Sequence, residues 1–129
     1  MKHAHTILLE KLYTDFAEGD LDAVFDACDL KMTFQVPGKS KLAGKFTLET
    51  FEDGFVNQLG ELSDETFSLD VHDILVSDLH ATVLATASLM RDESKIEYRT
   101  VHVWRFQGGK PVAWYEYPRD LYQYDQIWS

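Results

Sequence analysis

Cysteine and basic side chains are scarce in this sequence of 129 residues. Cys28 is the only cysteine, so no disulfide can form within the chain, and this usage fits a reducing compartment. Lysine and arginine together number 12 against 22 acidic residues, which gives a formal net charge of −10. A negative charge of this size repels phosphate backbones and anionic lipid surfaces. We therefore expect neither nucleic acid nor a membrane as a partner.

Long apolar runs, repeats and low-complexity segments are also lacking. The first apolar stretch, residues 7–9, is interrupted by Glu10 and Lys11, so it is too short for a signal peptide or a membrane span. We expect a cytoplasmic protein. Apolar residues make up 45% of the chain and aromatic residues 13%, which is enough to bury a core. The length is that of one ordinary domain, and we expect a single domain over residues 1–129.

The spacing of apolar residues predicts helices in the first half of the chain. One helix carries Leu9, Leu12 and Phe16 on one face and stops at Gly19. Asp20 is placed to cap a second, short helix, whose apolar stripe includes Cys28, which we interpret as a core residue. A third helix is predicted to begin at Thr47. Its apolar stripe consists of Leu48, Phe51, Phe55 and Leu59.

Alternating apolar and polar residues predict five strands, at 31–36, 67–76, 81–90, 96–106 and 112–117. The turns between the last four are short, so these strands should be antiparallel neighbours. Helices packed on one side of such a sheet give an α+β domain. His3 and His5 precede the first helix, and we expect them to be solvated. The aromatic C-terminal residues 118–129 should pack over the barrel mouth, the pocket or a partner chain.

Several short runs in a fixed order carry a family resemblance. They are Leu12-Tyr13, Gly19-Asp20-Leu21, Phe34-Gln35-Val36-Pro37-Gly38, Ala43-Gly44, Val103-Trp104-Arg105-Phe106, Gly109-Lys110 and Asp120. Together they resemble the SnoaL-like (polyketide cyclase-like) branch of the nuclear transport factor 2-like superfamily. The resemblance implies a cone-shaped, curved antiparallel sheet with three helices enclosing a pocket. The superfamily includes isomerases, hydrolases, cyclases, dehydratases and non-catalytic modules, so the resemblance implies a fold and a pocket rather than one reaction.

The superfamily's ketosteroid isomerases provide one mechanism to compare. Their tyrosine, their carboxylate base and their protonated aspartate would correspond here to Leu12, Gln35 and His102. An amide cannot abstract a proton from carbon, and a leucine cannot donate a hydrogen bond to an oxyanion. We therefore do not expect isomerisation by that arrangement.

The polyketide-cyclase branch carries an acid/base carboxylate on the last strand, and the resemblance implies Glu116 for that position. Alternation places Glu116 with Val112 and Trp114 on one face of its strand, and His102 with Thr100, Trp104 and Phe106 on one face of the preceding strand. If both faces point inward, Glu116 is the acid/base candidate and His102 its partner or an oxyanion donor. Glutamate is one methylene longer than the family's aspartate, which displaces its oxygens.

The predicted pocket is apolar with few polar groups. Besides Glu116 and His102, its expected lining is Tyr13, Gln35, Phe51, Phe55, Trp104, Phe106 and Trp114. We expect a neutral, ring-sized hydrophobic molecule as ligand, bound by a lyase, isomerase or cyclase. The alternative is a non-catalytic binding or dimerisation module, in which Glu116 faces solvent or pairs with Arg99 or Arg105.

Two further expectations concern metals and oligomers. His72 and His80 lie near several aspartates, but no spacing matches a metal-ligand motif, and we expect no metal and no cofactor. The sheet face opposite His102 still carries apolar residues, and the strand at 81–90 is apolar on both sides. A patch of this kind predicts a homodimer through the outer face of the sheet.

Overall fold

The computed structural model describes residues 1–129 as one six-stranded sheet with helices packed against it. The helices are α1 (Ala4–Ala17), α2 (Leu21–Asp26), α3 (Asn57–Leu62), which follows a π-helical segment (Glu52–Val56), and α4 (Leu121–Ile127). The strands are β1 (Thr33–Val36), β2 (Gly44–Thr47), β3 (Ser68–Val76), β4 (His80–Arg91), β5 (Ser94–Gln107) and β6 (Lys110–Pro118). The α+β class is confirmed, and β2 and α4 are elements that the sequence pattern did not predict.

The sheet is curved and has the strand order β2-β1-β6-β5-β4-β3. All neighbours are antiparallel except β1 and β6, which run parallel. The expectation of an antiparallel sheet therefore needs this one correction, because no tight turn joins β1 to β6: β2, β3, β4 and β5 lie between them in the sequence. Small side chains on the inner face of β4 lie beside large ones on β5, such as Ala81 opposite Trp104 and Ala87 opposite Tyr98.

The first two helices form as their apolar spacing predicts. Leu9 and Leu12 are buried under α1, and the Asp20 carboxylate accepts a hydrogen bond from the Ala23 amide at 3.1 Å, which caps α2. Cys28 is buried in the core, and this burial raises the pKa of its thiol to about 12. Cys28 is one of the buried residues of the hydrophobic core, which confirms its interpretation as a core residue.

The third helix begins later than predicted. Thr47 ends β2 instead of capping a helix, and the helical turns begin at Glu52 with a π-helical segment. Phe51 and Phe55 are nevertheless buried, and Leu59 with them. Gly54 lies so close to the Phe46 ring that a Cβ there would be 2.5 Å from a ring carbon, so β2 and this segment pack through a glycine contact.

The N-terminus is more ordered than expected. The ring of His3 accepts a hydrogen bond from the His5 amide at 3.0 Å and caps α1. His5 is buried and stacks on Phe106, with ring centroids 3.8 Å apart. The expectation that both histidines are solvated is therefore wrong, because the first turn of α1 packs on the end of β5.

The C-terminal segment folds into α4, making a fourth helix where three were predicted. Tyr124, Ile127 and Trp128 are buried, which confirms that this segment packs on the domain. Arg91 donates to the Ile127 carbonyl at 2.6 Å and to the Leu62 carbonyl at 2.7 Å, so it ties the ends of α4 and α3 together. No helix in the structure is both long enough and apolar enough to span a membrane.

Candidate functional site

An internal cavity of about 60 Å³ lies between the inner face of the sheet and the helices; we call it the inner cavity. Fifteen residues line it, and thirteen of them are hydrophobic. His102 and Glu116 are the two others. The full lining is Leu12, Tyr13, Phe16, Val24, Phe34, Phe51, Phe55, Leu59, Phe67, Leu69, Tyr98, His102, Trp104, Trp114 and Glu116.

Aromatic rings form one wall of the inner cavity. Phe34 stacks on Phe51 with ring centroids 3.8 Å apart, and Phe51 stacks on Phe55 at 5.0 Å. Trp114 packs edge-on against Phe55 at 5.9 Å and against the His102 ring at 4.9 Å. This wall places the imidazole in an apolar environment, where electrostatic interactions are stronger than in water.

Glu116 is held from two sides. Its Oε1 accepts a hydrogen bond from the Tyr124 hydroxyl at 2.9 Å, and its Oε2 accepts one from the Thr100 hydroxyl at 2.8 Å. His102 and Glu116 are direct cross-strand neighbours, and His102 Nε2 lies 3.5 Å from Glu116 Oε2. The salt bridges of the structure give Glu116 no lysine or arginine partner. The carboxylate is therefore buried among hydroxyl donors beside one imidazole.

The His102 imidazole is hydrogen-bonded through Nδ1, the ring nitrogen other than the one near Glu116. Its Nδ1 lies 2.6 Å from the Tyr13 hydroxyl, and the Trp104 indole N–H donates to the same hydroxyl oxygen at 3.0 Å. The Tyr13 and His102 rings are nearly parallel, 8° apart. His102 Nε2 makes no hydrogen bond within the chain, and only the Glu116 carboxylate lies within ion-pair distance of it. The imidazole is thus fixed at Nδ1 and free at Nε2.

Burial shifts the acidity of both tyrosine hydroxyls in this network. It raises the pKa of Tyr13, although the indole donors of Trp104 and Trp114 oppose the shift. The pKa of Tyr124 is raised by burial and by the negative charge of Glu116. Both hydroxyls therefore remain protonated at neutral pH and can donate hydrogen bonds.

Most residues predicted for the site meet around the inner cavity. Glu116, His102, Trp104 and Trp114 line it from the sheet, as strand alternation predicts. Tyr13 lines it from α1, and Phe51 and Phe55 line it from the segment before α3.

Two predicted lining residues lie elsewhere. Gln35 points away from the inner cavity, because Phe34 and Val36 are the inward residues of β1. Phe106 is buried but lies near the end of β5 under the first turn of α1, where it stacks on His5. Both predictions are wrong. Val112 lies at a bulge between β5 and β6. It does not line the inner cavity, although alternation predicts that it shares the inward face of β6 with Trp114.

Sequence reasoning missed three contacts. Leu12 was assigned to the position of the family's helical tyrosine, but Tyr13, the next residue, brings its hydroxyl to His102. Thr100 was placed on the correct face by alternation, but its bond to Glu116 was not foreseen. Tyr124 could have been found from the Asp120 cap and the spacing of Tyr124, Ile127 and Trp128, which is that of a short helix.

No group of three or more His, Cys, Asp or Glu side chains is arranged to hold a metal ion. His72 instead lies 2.6 Å from the Thr86 hydroxyl on the outer face of the sheet. Besides tyrosine hydroxyls, the ionisable groups that line the inner cavity are one carboxylate and one imidazole, and these groups are suited to proton transfer and hydrogen bonding.

Comparison with known proteins assigns the chain to a family. Similar solved structures include Bal32a from a soil-derived mobile gene cassette (TM-score 0.88, 22% identity, covering 98% of this chain and 97% of Bal32a). Another is TerC co-crystallized with polyporic acid (TM-score 0.83, 14% identity, 98% and 100% covered). A third is IdmH, a proposed polyketide cyclase from Streptomyces antibioticus (TM-score 0.72, 14% identity, 91% and 93% covered). No curated protein sequence matches. The family model of the SnoaL-like domain matches residues 9–114, and the chain therefore belongs to the SnoaL-like domain family.

Proposed function

We propose that this protein is an enzyme that moves a proton on a small, mostly apolar molecule bearing a carbonyl group. The observation that carries the proposal is the hydrogen-bonded series Trp104–Tyr13–His102, with Glu116 beside the imidazole, at the wall of an otherwise apolar cavity. A buried glutamate paired to an arginine would instead favour a structural role. Several polar groups converge here, and no arginine is among the partners of Glu116.

Two proton arrangements are open to the Tyr13–His102 pair. In the first, the Tyr13 hydroxyl donates to His102 Nδ1, and Nε2 carries the imidazole hydrogen. In the second, Nδ1–H donates to the Tyr13 oxygen, Nε2 has a free lone pair, and the Tyr13 hydroxyl proton is free to point into the inner cavity. The second arrangement supplies a base and a hydrogen-bond donor at the same wall.

The proposed reaction uses that second arrangement. Tyr13 donates its hydrogen bond to the ligand's carbonyl oxygen, and His102 Nε2 takes a proton from the adjacent carbon. The C–H electron pair forms the enolate, and the imidazole becomes an imidazolium ion. Glu116 stabilises this positive charge from 3.5 Å. The imidazolium then returns the proton to another atom of the enolate, so that no other reactant is consumed.

This assignment of roles differs from the sequence hypothesis, in which Glu116 is the acid/base. Both Glu116 oxygens already accept hydrogen bonds, from Tyr124 and Thr100, whereas His102 Nε2 has no hydrogen-bond partner. The contacts therefore favour His102 as the catalytic acid/base. Glu116 is then the group that stabilises the positive charge of the imidazolium ion.

The comparisons support a small-molecule site in the same fold. TerC was co-crystallized with polyporic acid, and IdmH is a proposed polyketide cyclase. Both are below 25% identity to this chain, so the choice of ligand rests on its own residues. The inner cavity has no lysine or arginine in its lining, which favours a neutral molecule.

Proton exchange in D₂O tests the proposal before a natural substrate is known. The wild-type protein should speed exchange of the α-protons of 2-butanone, followed by NMR, above the rate in buffer. The His102→Gln variant should lose about a hundredfold or more of that acceleration, because general acid/base catalysis contributes about this much. His80→Gln, at the exposed first residue of β4, is the matched control and should exchange like wild type. Equal rates for wild type and His102→Gln would overturn the proposal.

A second candidate function is non-catalytic binding of a small apolar ligand. It is favoured by one observation: both Glu116 oxygens and the Tyr13 hydroxyl already have hydrogen-bond partners within the chain, so these groups are satisfied without a substrate. Under this reading Glu116 chiefly anchors α4 through Tyr124. Ligand binding without any acceleration of proton exchange would favour the binding module over the enzyme.

A further inference from the structure

The inner cavity adjoins a second, larger cavity at the protein surface. This outer cavity measures about 290 Å³ and lies between the C-terminal end of α1, α3 and the start of β3. Twelve residues line it, and eight of them are hydrophobic. Five residues line both cavities, namely Tyr13, Phe16, Leu59, Phe67 and Leu69. These five shared residues are the partition between the two spaces.

The volume of the inner cavity sets a limit on what it can hold alone. An engineered cavity of about 150 Å³ holds one benzene molecule, so a cavity of about 60 Å³ has room for about two or three non-hydrogen atoms. A ring-sized ligand, as expected from the sequence, cannot lie wholly inside it. A carbonyl group with one neighbouring carbon, which is three non-hydrogen atoms, matches the space beside Tyr13 and His102.

The outer cavity has the properties that the rest of such a ligand requires. Phe16, Phe67 and Leu69 are only partly buried, so their apolar surface remains open to a ligand. Glu65 is the only charged residue of the lining, and no lysine or arginine is present. An apolar body without negative charge therefore fits this cavity, whereas a phosphate or carboxylate would meet only the Glu65 carboxylate.

We propose that the two cavities form one bipartite site for an elongated, uncharged ketone, whose carbonyl end lies in the inner cavity and whose apolar body lies in the outer cavity. The inference rests on the proposed function for its inner half, where the carbonyl faces Tyr13 and His102. The five shared residues then act as the specificity-determining constriction: the narrow end of the ligand passes between them, and the wide end cannot.

Two test ligands that share a methyl ketone separate the two cavities. 2-Butanone carries little beyond the carbonyl end, and 4-phenyl-2-butanone adds a phenyl ring for the outer cavity. In NMR titrations the wild-type protein should bind 4-phenyl-2-butanone at least about tenfold more tightly than 2-butanone, because the ring buries apolar surface. Magnetisation transfer from the phenyl protons should reach Phe67 and Leu69.

A pair of variants on α1 supplies the control. Ala17 is exposed and lines the outer cavity but not the inner one, and Ala4 is exposed at the other end of α1, outside both cavities. Ala17→Phe should reduce the preference for the phenyl compound to about threefold or less and leave the affinity for 2-butanone unchanged. Ala4→Phe should keep the wild-type preference.

The inference is overturned if 4-phenyl-2-butanone binds no more tightly than 2-butanone, or if Ala17→Phe keeps the full preference. These titrations measure binding without turnover. A bipartite preference without proton exchange would therefore contradict the proposed catalysis alone, and proton exchange of 2-butanone without the preference would contradict the bipartite site alone.

Discussion

Two buried tyrosine networks meet at Glu116, and they differ in the space around them. On one side Tyr13 and His102 border the inner cavity. On the other side Tyr124 donates to Glu116, and Tyr98 and Trp128 pack around it, with the Trp128 indole donating to the Tyr98 hydroxyl at 3.2 Å. We call the second group the α4 anchor. The residue types are similar, and Tyr98 borders the inner cavity as well, but only the Tyr13 side leaves a nitrogen, His102 Nε2, without a hydrogen bond. An unpaired polar atom beside free volume therefore separates a candidate site from a structural network.

Alkaline pH should affect both networks and produce the largest change. Burial is the first cause of the raised pKa of Tyr13, Tyr98 and Tyr124, whose ordinary value is 10.0. Below pH 10 these hydroxyls are protonated in the folded and unfolded states alike, so they do not change the stability. The buried Cys28 thiol, whose pKa is raised from 9.0 to about 12, begins to lower the stability above pH 9. Above pH 10 the unfolded chain loses protons that the folded chain keeps, so stability falls, by up to about 4 kcal/mol per pH unit for three groups.

Urea unfolding between pH 8 and pH 11 measures this loss. Tyr98→Phe should reduce the slope of stability against pH above pH 10 by about one quarter, because one of four protons, those of the three tyrosines and of Cys28, no longer takes part. Tyr117→Phe, at an exposed position, is the control and should leave the slope unchanged. A stability that stays flat up to pH 11 would contradict the burial of these hydroxyls.

Removing the hydroxyl on the cavity side should affect catalysis. Tyr13→Phe deletes the donor proposed for the carbonyl oxygen and the Nδ1 partner of His102. We expect α-proton exchange of 2-butanone to fall by about a hundredfold, as for the loss of one oxyanion donor. The melting temperature should change much less than the rate. Exchange at the wild-type rate would show that Tyr13 only packs α1 on the sheet.

Removing the hydroxyl of the α4 anchor should affect stability instead. Tyr124→Phe leaves Glu116 Oε1 buried without its hydroxyl donor, which should cost about 1–3 kcal/mol and lower the melting temperature by about 4–10 °C. Tyr122→Phe on the exposed face of α4 is the matched control and should cost less than about 0.5 kcal/mol. A large loss of proton exchange at unchanged stability would instead place Tyr124 in the catalytic machinery.

The inner and outer faces of the sheet also differ. A substitution on the outer face should affect the fold of a single chain least. The outer face carries an apolar patch of Leu84, Val101, Val103, Tyr115 and Tyr117, which are cross-strand neighbours. Of the outward residues of β4 only Leu84 and Met90 are apolar, so this patch is narrower than the sequence suggested. We propose that it pairs with a second copy of the chain.

Light scattering at micromolar concentration tests the pairing. Wild type should have the mass of two chains, and Val101→Lys should have the mass of one, because it places a charge in the patch. Glu97→Lys, on the same face of β5 but outside the patch, should remain a dimer. A monomeric wild type would contradict the proposal.

The sequence predicted most elements because local periodicity is a direct consequence of backbone geometry. Alternation in β5 and β6 correctly paired His102 with Glu116 on the inner face, 14 residues apart in sequence and adjacent in the sheet. Alternation also places Gln35 on the face opposite Phe34. The prediction that Gln35 lines the pocket followed the family resemblance against this pattern, and the structure agrees with the pattern.

By itself, then, the sequence determined the first two helices, the long strands and the direction of most inward side chains, since each depends on residues only a few positions apart. The tertiary structure decided which inward residues meet. The Tyr13 hydroxyl reaches His102 across 89 positions. Tyr124 is only 8 positions from Glu116, but it reaches the carboxylate because α4 folds back onto β6. Phe106 is inward as predicted but lies under α1 instead of in the inner cavity. These contacts, and the volume left between the side chains, depend on how the helices and strands pack against one another. The local spacing of apolar residues carries no information about that packing.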